Sequence, residues 1–306
     1  MGHDHRFRFA VDLQAPFEGL TFPDTAREAE ALGYSTMFVP DHFDEGLGPI
    51  AAMATAASVT TTLNVGALVF DCDFRHPAVL ARELATIDVL SEGRLEVGLG
   101  AGWKRLDYER SGIPMDPPKV RVDRMIEHTA VLQGLFSDAP VTFDGTHYKI
   151  TDLDGTPKPF RPGGPPILIG GGGEQVTLRL VARYADANNV GGGIESVRRK
   201  EQVLLQHCES VGRDPSEIER TTGIGTVVLR NSEEEARRVH RQIFEHNGRA
   251  RSWDDVAVGT PEQVAERLAP YLEIGYRHLI AGFPSPYDEE SQTRLATEVR
   301  PLLERV

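Results

Sequence analysis

Three short stretches carry groups suited to chemistry. The first is Gly170-Gly171-Gly172-Gly173-Glu174, which follows an apolar run at 166–169 and precedes a helical pattern over 175–184. Strand, glycine turn and helix in that order expose backbone N–H groups at a helix N-terminus, which carries roughly half a positive charge. Glycines let an anion approach the backbone, so a phosphate is the natural ligand. A turn that merely needs positive φ is the competing reading. The second stretch is Asp41-His42, which ends the run Thr-Met-Phe-Val-Pro at 36–40. Histidine is the side chain best placed to exchange protons near neutral pH. The alternative is a loop-capping carboxylate beside a packed ring. The third, Gly100-Ala101-Gly102-Trp103, cuts off an alternating run at 94–99 and reads first as a tight turn with its aromatic on the core side.

The elements that must position these groups follow one rhythm, set out most clearly at 67–103. There His76-Pro77 opens a helix, with proline where its missing N–H is harmless. Leu80, Leu84, Ile87 and Leu90 recur at helical spacing, and Gly93 stops the helix. Strands are expected at 7–13, 36–40, 63–69, 94–99, 166–169, 187–190, 221–229 and 278–281. Helices are expected at 24–32, 49–60, 77–90, 120–136, 175–184, 195–211, 232–246, 260–273 and 288–304. Thr260 with Gln263 three residues on forms a capping box. Eight strand–helix repeats without a long linker predict a (β/α)8 TIM barrel, a single domain over 1–306. Residues 104–165 are expected to form an insertion after strand four, with a hairpin around Asp144-Gly145. An open doubly wound sheet would carry GxGxxG after its first strand, and none is present. In a barrel the active site lies at the C-terminal ends of the strands, where all three stretches fall.

Composition narrows the classes. The net charge of −13 over 306 residues argues against nucleic acid or an acidic membrane surface as partner. Cys72 and Cys208 form neither a CxxC nor a metal-spaced set, so no metal site is expected and a reduced, cytoplasmic setting is. The start, MGHDHRFRF, lacks the apolar core of a signal peptide, and its His3 and His5 are expected on a solvated terminus. The histidines at 128, 207, 240 and 246 lie on helices without ligand partners at useful spacing. They are expected to be structural.

The segment HPAVLARELATIDVLSEGRLEVGLGAGW resembles the signature of the bacterial luciferase-like monooxygenase superfamily, and the likeness runs from Phe7 to the last helix. Together with RFAVDL and Asp41-His42, it is most similar to the branch of oxidoreductases that use the deazaflavin coenzyme F420. The resemblance implies hydride transfer between the deazaflavin and a small organic substrate, and a homodimer. It assigns the cofactor phosphate to Gly170, Gly171, Gly172, Gly173 and Glu174, and the ring face to Asp41 and His42, with His42 as the catalytic residue. It lays Gly100, Ala101 and Gly102 along the ring and ribityl chain. Ala67, Leu68 and Phe70 are implied to back the ring through a non-prolyl cis peptide between Ala67 and Leu68. Relatives often carry Ser or Thr where this chain has Ala67 and Phe70. Sugar-phosphate dehydrogenases of this branch carry a glutamate acid at the position of Trp103, so glucose 6-phosphate is not the expected substrate. An FMN-dependent monooxygenase is the alternative, and a non-catalytic flavin-binding protein is a third. Arg75 is the expected partner for the cofactor's acidic tail, and loops 43–48, 104–119 and 282–287 would shape the substrate site.

Overall fold

The computed structural model describes residues 6–306 apart from 14–15, 18, 44–45, 248–255 and 285–287. His3 and His5, and parts of two of the expected substrate loops, lie outside the described residues. The elements run β1 (Arg8–Asp12), α1 (Phe22–Ala31), β2 (Thr36–Val39), α2 (Pro49–Val59), β3 (Asn64–Ala67), β4 (Phe70–Asp71), α3 (Pro77–Leu90) and β5 (Leu95–Gly100). Next come α4 (Arg105–Ser111), α5 (Pro118–Phe136), β6 (Val141–Asp144), β7 (Lys149–Leu153), β8 (Ile167–Gly170), α6 (Thr177–Tyr184), β9 (Ala187–Val190) and α7 (Ile194–Val211). The last part holds β10 (Glu219–Thr226), β11 (Val228–Leu229), α8 (Glu233–His246), β12 (Val258–Gly259), α9 (Pro261–Glu273), β13 (Tyr276–Gly282), α10 (Glu289–Arg294) and α11 (Arg300–Leu303).

Eight strands close in the order β1-β2-β3-β5-β8-β9-β10-β13, with β13 returning to β1 and every pairing parallel. This is the expected (β/α)8 barrel. Closure explains the near-continuous apolar strands, since each is covered by helices outside and by other side chains within. Ala10, Phe38, Leu168, Ala187 and Ile280, from five ring strands, fill the interior, with Leu68 and Val69 packed against them. The larger cluster joins outward strand residues such as Val11, Val65 and Ile169 to the helices through Leu80, Leu84, Leu132 and Leu268.

The insertion is smaller than its expected span of 104–165. Helix α5 sits between α3 and α6 in the outer ring, so it is the barrel's own helix after β5, the fourth ring strand. The true excursions are the short α4, hidden in what reads as a loop, and the β6–β7 hairpin. That hairpin has no core of its own. Its Tyr148 and Ile150 join the main cluster, and Glu127 of α5 accepts the amides of Thr146, His147 and Tyr148.

The beginnings of the strands form a charged floor. Arg8 pairs with Glu96 at 2.6 Å and with Glu219 at 2.5 Å, and donates to the Thr36 hydroxyl at 3.0 Å. Asn64 and Thr36 complete the shell of Glu96 at 3.0 and 2.9 Å. Burial would raise both carboxyls. The Arg8 guanidinium and the His278 ring outweigh it and hold both below the usual carboxylate range. The floor is thus an ion-paired plug, and the open end is the other one.

Candidate active site

At the C-terminal ends of the strands lies a cavity of about 460 Å³. Its walls include Asp41, His42, Leu68, Gly100, Ala101, Gly102, Gly170 and Gly171, eight residues singled out from the sequence. Five others stand apart. Ala67 and Phe70 are fully buried in the main cluster and do not reach the cavity. Gly172, Gly173 and Glu174 lie along the glycine run beyond the cavity wall.

The expected single strand at 63–69 breaks after Ala67, and pairing resumes only at Phe70 and Asp71. The break turns Leu68 and Val69 into the barrel mouth. The non-prolyl cis peptide falls between Leu68 and Val69, one bond later than expected. Val69 lines the cavity where Ala67 and Phe70 do not, and a Cβ on Gly100 would lie 2.5 Å from its Cγ2. Only glycine lets β5 pass so close to this bulge.

His42 and Asp41 are held by separate partners. His42 Nδ1 lies 2.6 Å from Asp107 Oδ2, and Asp107 Oδ1 accepts the Phe43 amide at 3.2 Å. With Nδ1 engaged, Nε2 is the ring nitrogen left for a ligand. Asp41 Oδ2 accepts from Arg75 at 2.6 Å and from the Asp71 amide at 3.2 Å. Arg75 also lies over the Phe70 ring, 5.4 Å from its centroid, so it is committed to the wall and is not a free cation for an acidic tail.

Helix α4 buries only Asp107 and Tyr108 and turns both toward the site. The Tyr108 hydroxyl meets Asp71 Oδ2 at 2.7 Å and Asp73 Oδ2 at 3.0 Å. Arg124 of α5 bridges Asp73 to Asp116, and Arg121 donates to the carbonyls of Ala101 and Gly102. Trp103 points outward, 72% exposed, and sets its ring edge-on to His42 at 5.6 Å between centroids, against the expected core-side position. It lines the cavity mouth as an exposed aromatic.

At the glycine run the Gly171 amide is already bonded to the Asn189 carbonyl at 2.9 Å. Among the described residues no protein acceptor meets the amides of Gly172 and Gly173. Helix α6 begins at Thr177, later than the expected 175. A cation stands beside the run: a Cβ on Gly172 would lie 2.7 Å from Lys200 Cε and 2.9 Å from its Nζ. Burial holds the Lys200 ammonium below its usual pKa, opposed by Glu174 and aided by Arg199. Arg199 is paired with Glu174 at 2.5 Å, and His207 meets the Glu174 carbonyl at 2.8 Å. Amides that meet no protein acceptor, small residues and one nearby ammonium fit a phosphate.

Residues 15–255 match the family model described as luciferase-like monooxygenase. The chain belongs to this luciferase-like monooxygenase family. Its curated relatives include an F420-dependent glucose-6-phosphate dehydrogenase of Kribbella flavida, 28% identical, the match covering 92% of this chain and 93% of that one. They also include an FMNH(2)-dependent dimethylsulfone monooxygenase of Pseudomonas fluorescens, 26% identical over 84% of this chain and 80% of the relative. Among solved structures, the coenzyme F420-dependent tetrahydromethanopterin reductase of Methanopyrus kandleri superposes with a TM-score of 0.81. It is 18% identical, with 97% of this chain and 99% of that one covered.

The luciferase-like site holds four residues that reading the sequence did not single out: Asp71, Asp107, Tyr108 and Lys200. A signal existed for Asp107 and Tyr108. Residues 105–111 contain no breaker before Gly112, and an acid and an aromatic side by side in such a segment suggest a helix facing a polar site. Lys200 follows the second glycine run by two helical turns and becomes visible only when β8 and β9 lie side by side. Of the helical histidines, His207 meets the Glu174 carbonyl and His128 is packed in the core. His128 is fully buried beneath Tyr148, and burial together with the charge of His76 lowers its pKa to about 3.

Proposed function

We propose that the protein is an oxidoreductase that uses coenzyme F420 to transfer a hydride to or from a small organic substrate. The observation that carries this reading is one continuous surface. It runs from the Leu68–Val69 bulge and the Gly100–Gly102 turn to the glycine run beside Lys200, and it lies in a chain similar along nearly its whole length to F420-dependent enzymes. The bulge and the turn would hold the ring, and Gly172, Gly173 and Lys200 the phosphate. When bound, the deazaflavin supplies two-electron hydride chemistry and lacks the ring nitrogen that makes reduced flavin react with oxygen.

The chain's own residues supply orientation and proton control. Asp107 fixes the His42 ring, and His42 presents Nε2 at the cavity to orient the ring or to hold a proton at the substrate. Trp103 at the mouth restricts water and favours a substrate with an apolar part. A sugar phosphate would find no carboxylate at position 103. Two free, buried cysteines suit a cytoplasmic enzyme, and no described helix is long and apolar enough to cross a membrane. The exposed Val79, Val89 and Leu90 of α3 offer apolar surface for a second copy in a homodimer. We further propose that the whole chain is one domain, because the hairpin shares the barrel's core.

The FMN-dependent monooxygenase stays as the second reading because of the Pseudomonas relative. Titrating the purified protein with F420 and with FMN at matched salt decides between them. Tighter F420 binding and substrate reduction without oxygen uptake are expected. Tighter FMN binding with oxygen uptake on reduction would transfer the assignment.

A further inference from the structure

Two carboxylates converge on one hydroxyl at the cavity wall. Asp71 Oδ2 and Asp73 Oδ2 lie 2.7 and 3.0 Å from the Tyr108 oxygen, which has a single hydrogen to give. If both acids were ionised, two like charges would face each other across that hydrogen in a buried setting. A second proton resolves the arrangement: tyrosine donates to one acid, and the other acid donates to the tyrosine oxygen. The partners decide which acid holds it. Asp73 is ion-paired with Arg124. Among the described residues no cation is paired with Asp71; it accepts the Asp73 amide at 2.9 Å, and its own amide points to the Asp41 carboxylate. Asp71 also lines the cavity, and its Oδ2 lies 2.4 Å from where a Gly102 Cβ would stand.

We propose that Asp71 is the acid that holds the shared proton, keeping it in mildly acidic solution where an ordinary aspartate is already ionised, and that it delivers this proton to the substrate during reduction. Asp71 is then the acid for this reaction, opposite the turn whose Trp103 cannot be one. As a hydride from the reduced deazaflavin forms the new C–H bond, the substrate's π bond breaks toward its electronegative end. That end takes the Asp71 proton, and the Asp71 carboxylate remains. The substrate gains two electrons and two hydrogens, the deazaflavin is oxidised, and solvent restores the proton. In the reverse direction the carboxylate takes the proton. The delivery step rests on the hydride-transfer reading above, whereas the shared proton does not.

The groups facing Asp71 agree. Burial raises its carboxyl to about 6, the charges of Asp73 and Asp41 add to the rise, and bonds from the Asp73 amide and the Tyr108 hydroxyl oppose it. Arg75 offsets Asp41, Arg124 offsets Asp73, and the Cys72 thiol is pushed well above its usual range and stays neutral. Burial and the two acids raise Tyr108 as well, so its hydroxyl keeps its hydrogen.

The test uses the cofactor-free protein first, with carbon NMR of the aspartate carboxyls over a pH series. One aspartate should titrate with a midpoint near about 6, vanish in Asp71→Asn, and shift in Tyr108→Phe, which removes the shared hydroxyl. No aspartate titrating above the usual range of about 4 would overturn the shared proton, and so would a midpoint unmoved in Tyr108→Phe. If Asp71→Asn does not fold, the wild-type and Tyr108→Phe titrations decide. In the loaded protein, Asp71→Asn should keep its deazaflavin affinity and lose about 100-fold in turnover. Undiminished turnover would overturn delivery by Asp71. Failure of the wild type to bind deazaflavin would overturn the functional reading and the delivery step together, leaving the titration result standing.

Discussion

His42 Nδ1 and Asp107 Oδ2 are 2.6 Å apart, a contact that ties the end of β2 to the short helix α4. Asp107 is buried and also accepts the Phe43 amide, so it can turn only by breaking a second bond. The acid selects the tautomer with hydrogen on Nδ1, and leaves Nε2 as the nitrogen the cavity sees.

Asp107→Asn should therefore blur that selection, because an amide can either accept from Nδ1 or donate to it. Nitrogen NMR of labelled histidine should show one Nδ1–H tautomer for His42 in the wild type and a mixture in the variant. Turnover should fall by about 100-fold, the usual size of a positioned proton-transfer group, with cofactor affinity little changed. An unchanged tautomer with unchanged turnover would reduce Asp107 to a cap for Phe43.

Lys200 supplies the second prediction. Lys200→Ala should weaken cofactor binding about 10- to 100-fold, as expected for one charge-assisted hydrogen bond of roughly 1.5–3 kcal/mol. The salt dependence of binding should flatten with it, since a surface cation is screened at high ionic strength. Gly172→Asp should be more severe, because its carboxylate would pair with Lys200 and repel phosphate at once. Full affinity in both folded variants would leave the tetraglycine as a turn.

The barrel was legible because strand and helix periodicity is local. Eight apolar runs, the capping box at Thr260 and Gln263, and Gly93 after α3 each state their role within a few residues. What failed was long-range or depended on one residue's register. The chain bulges at Leu68–Val69, one bond past the position matched by motif, so Val69 lines the wall where Ala67 and Phe70 do not. Arg75 looks like a free cation until β2 brings Asp41 to it. Asp71 and Lys200 sit in unremarkable local sequence, and their meaning comes from neighbours 37 and 28 positions distant, Tyr108 for Asp71 and Gly172 for Lys200; the helix signal around Asp107 does not say that His42, 65 positions away, is its partner.

The floor makes a stability prediction with a definite pH sign. Glu96 and Glu219 have folded pKa values below their unfolded ones. Their contribution is complete above the ordinary carboxylate range and disappears as pH falls through the lowered values. Arg8→Met leaves two buried carboxylates without their cation and should cost about 3–5 kcal/mol near neutral pH, by urea unfolding. That deficit should shrink as pH falls from neutral, because burial raises the orphaned acids and they protonate above the ordinary carboxylate range. Both proteins should unfold in one transition if the chain is a single domain. A deficit independent of pH would show that Arg8 acts by packing.

Gly102 tests whether the turn was built around the acid pair. Its φ is +73°, and a Cβ there would lie 1.8 Å from the Tyr108 oxygen and 2.4 Å from Asp71 Oδ2. Gly112, at the end of α4, has nearly the same φ of +76° with nothing within 4 Å of the added atom. The two glycines therefore share a backbone penalty and differ in what stands behind them. Gly112→Ala should lose only about 1–2 kcal/mol, the cost of a left-handed conformation. Gly102→Ala should lose that and about 1–3 kcal/mol more from overpacking. Adding Tyr108→Phe should recover part of the excess at Gly102 and none at Gly112, because only the first clash involves the hydroxyl. Such non-additivity is the mark of direct contact. Equal losses at the two glycines, with no recovery in the double variant, would mean that the turn yields freely and does not fix Tyr108 against Asp71.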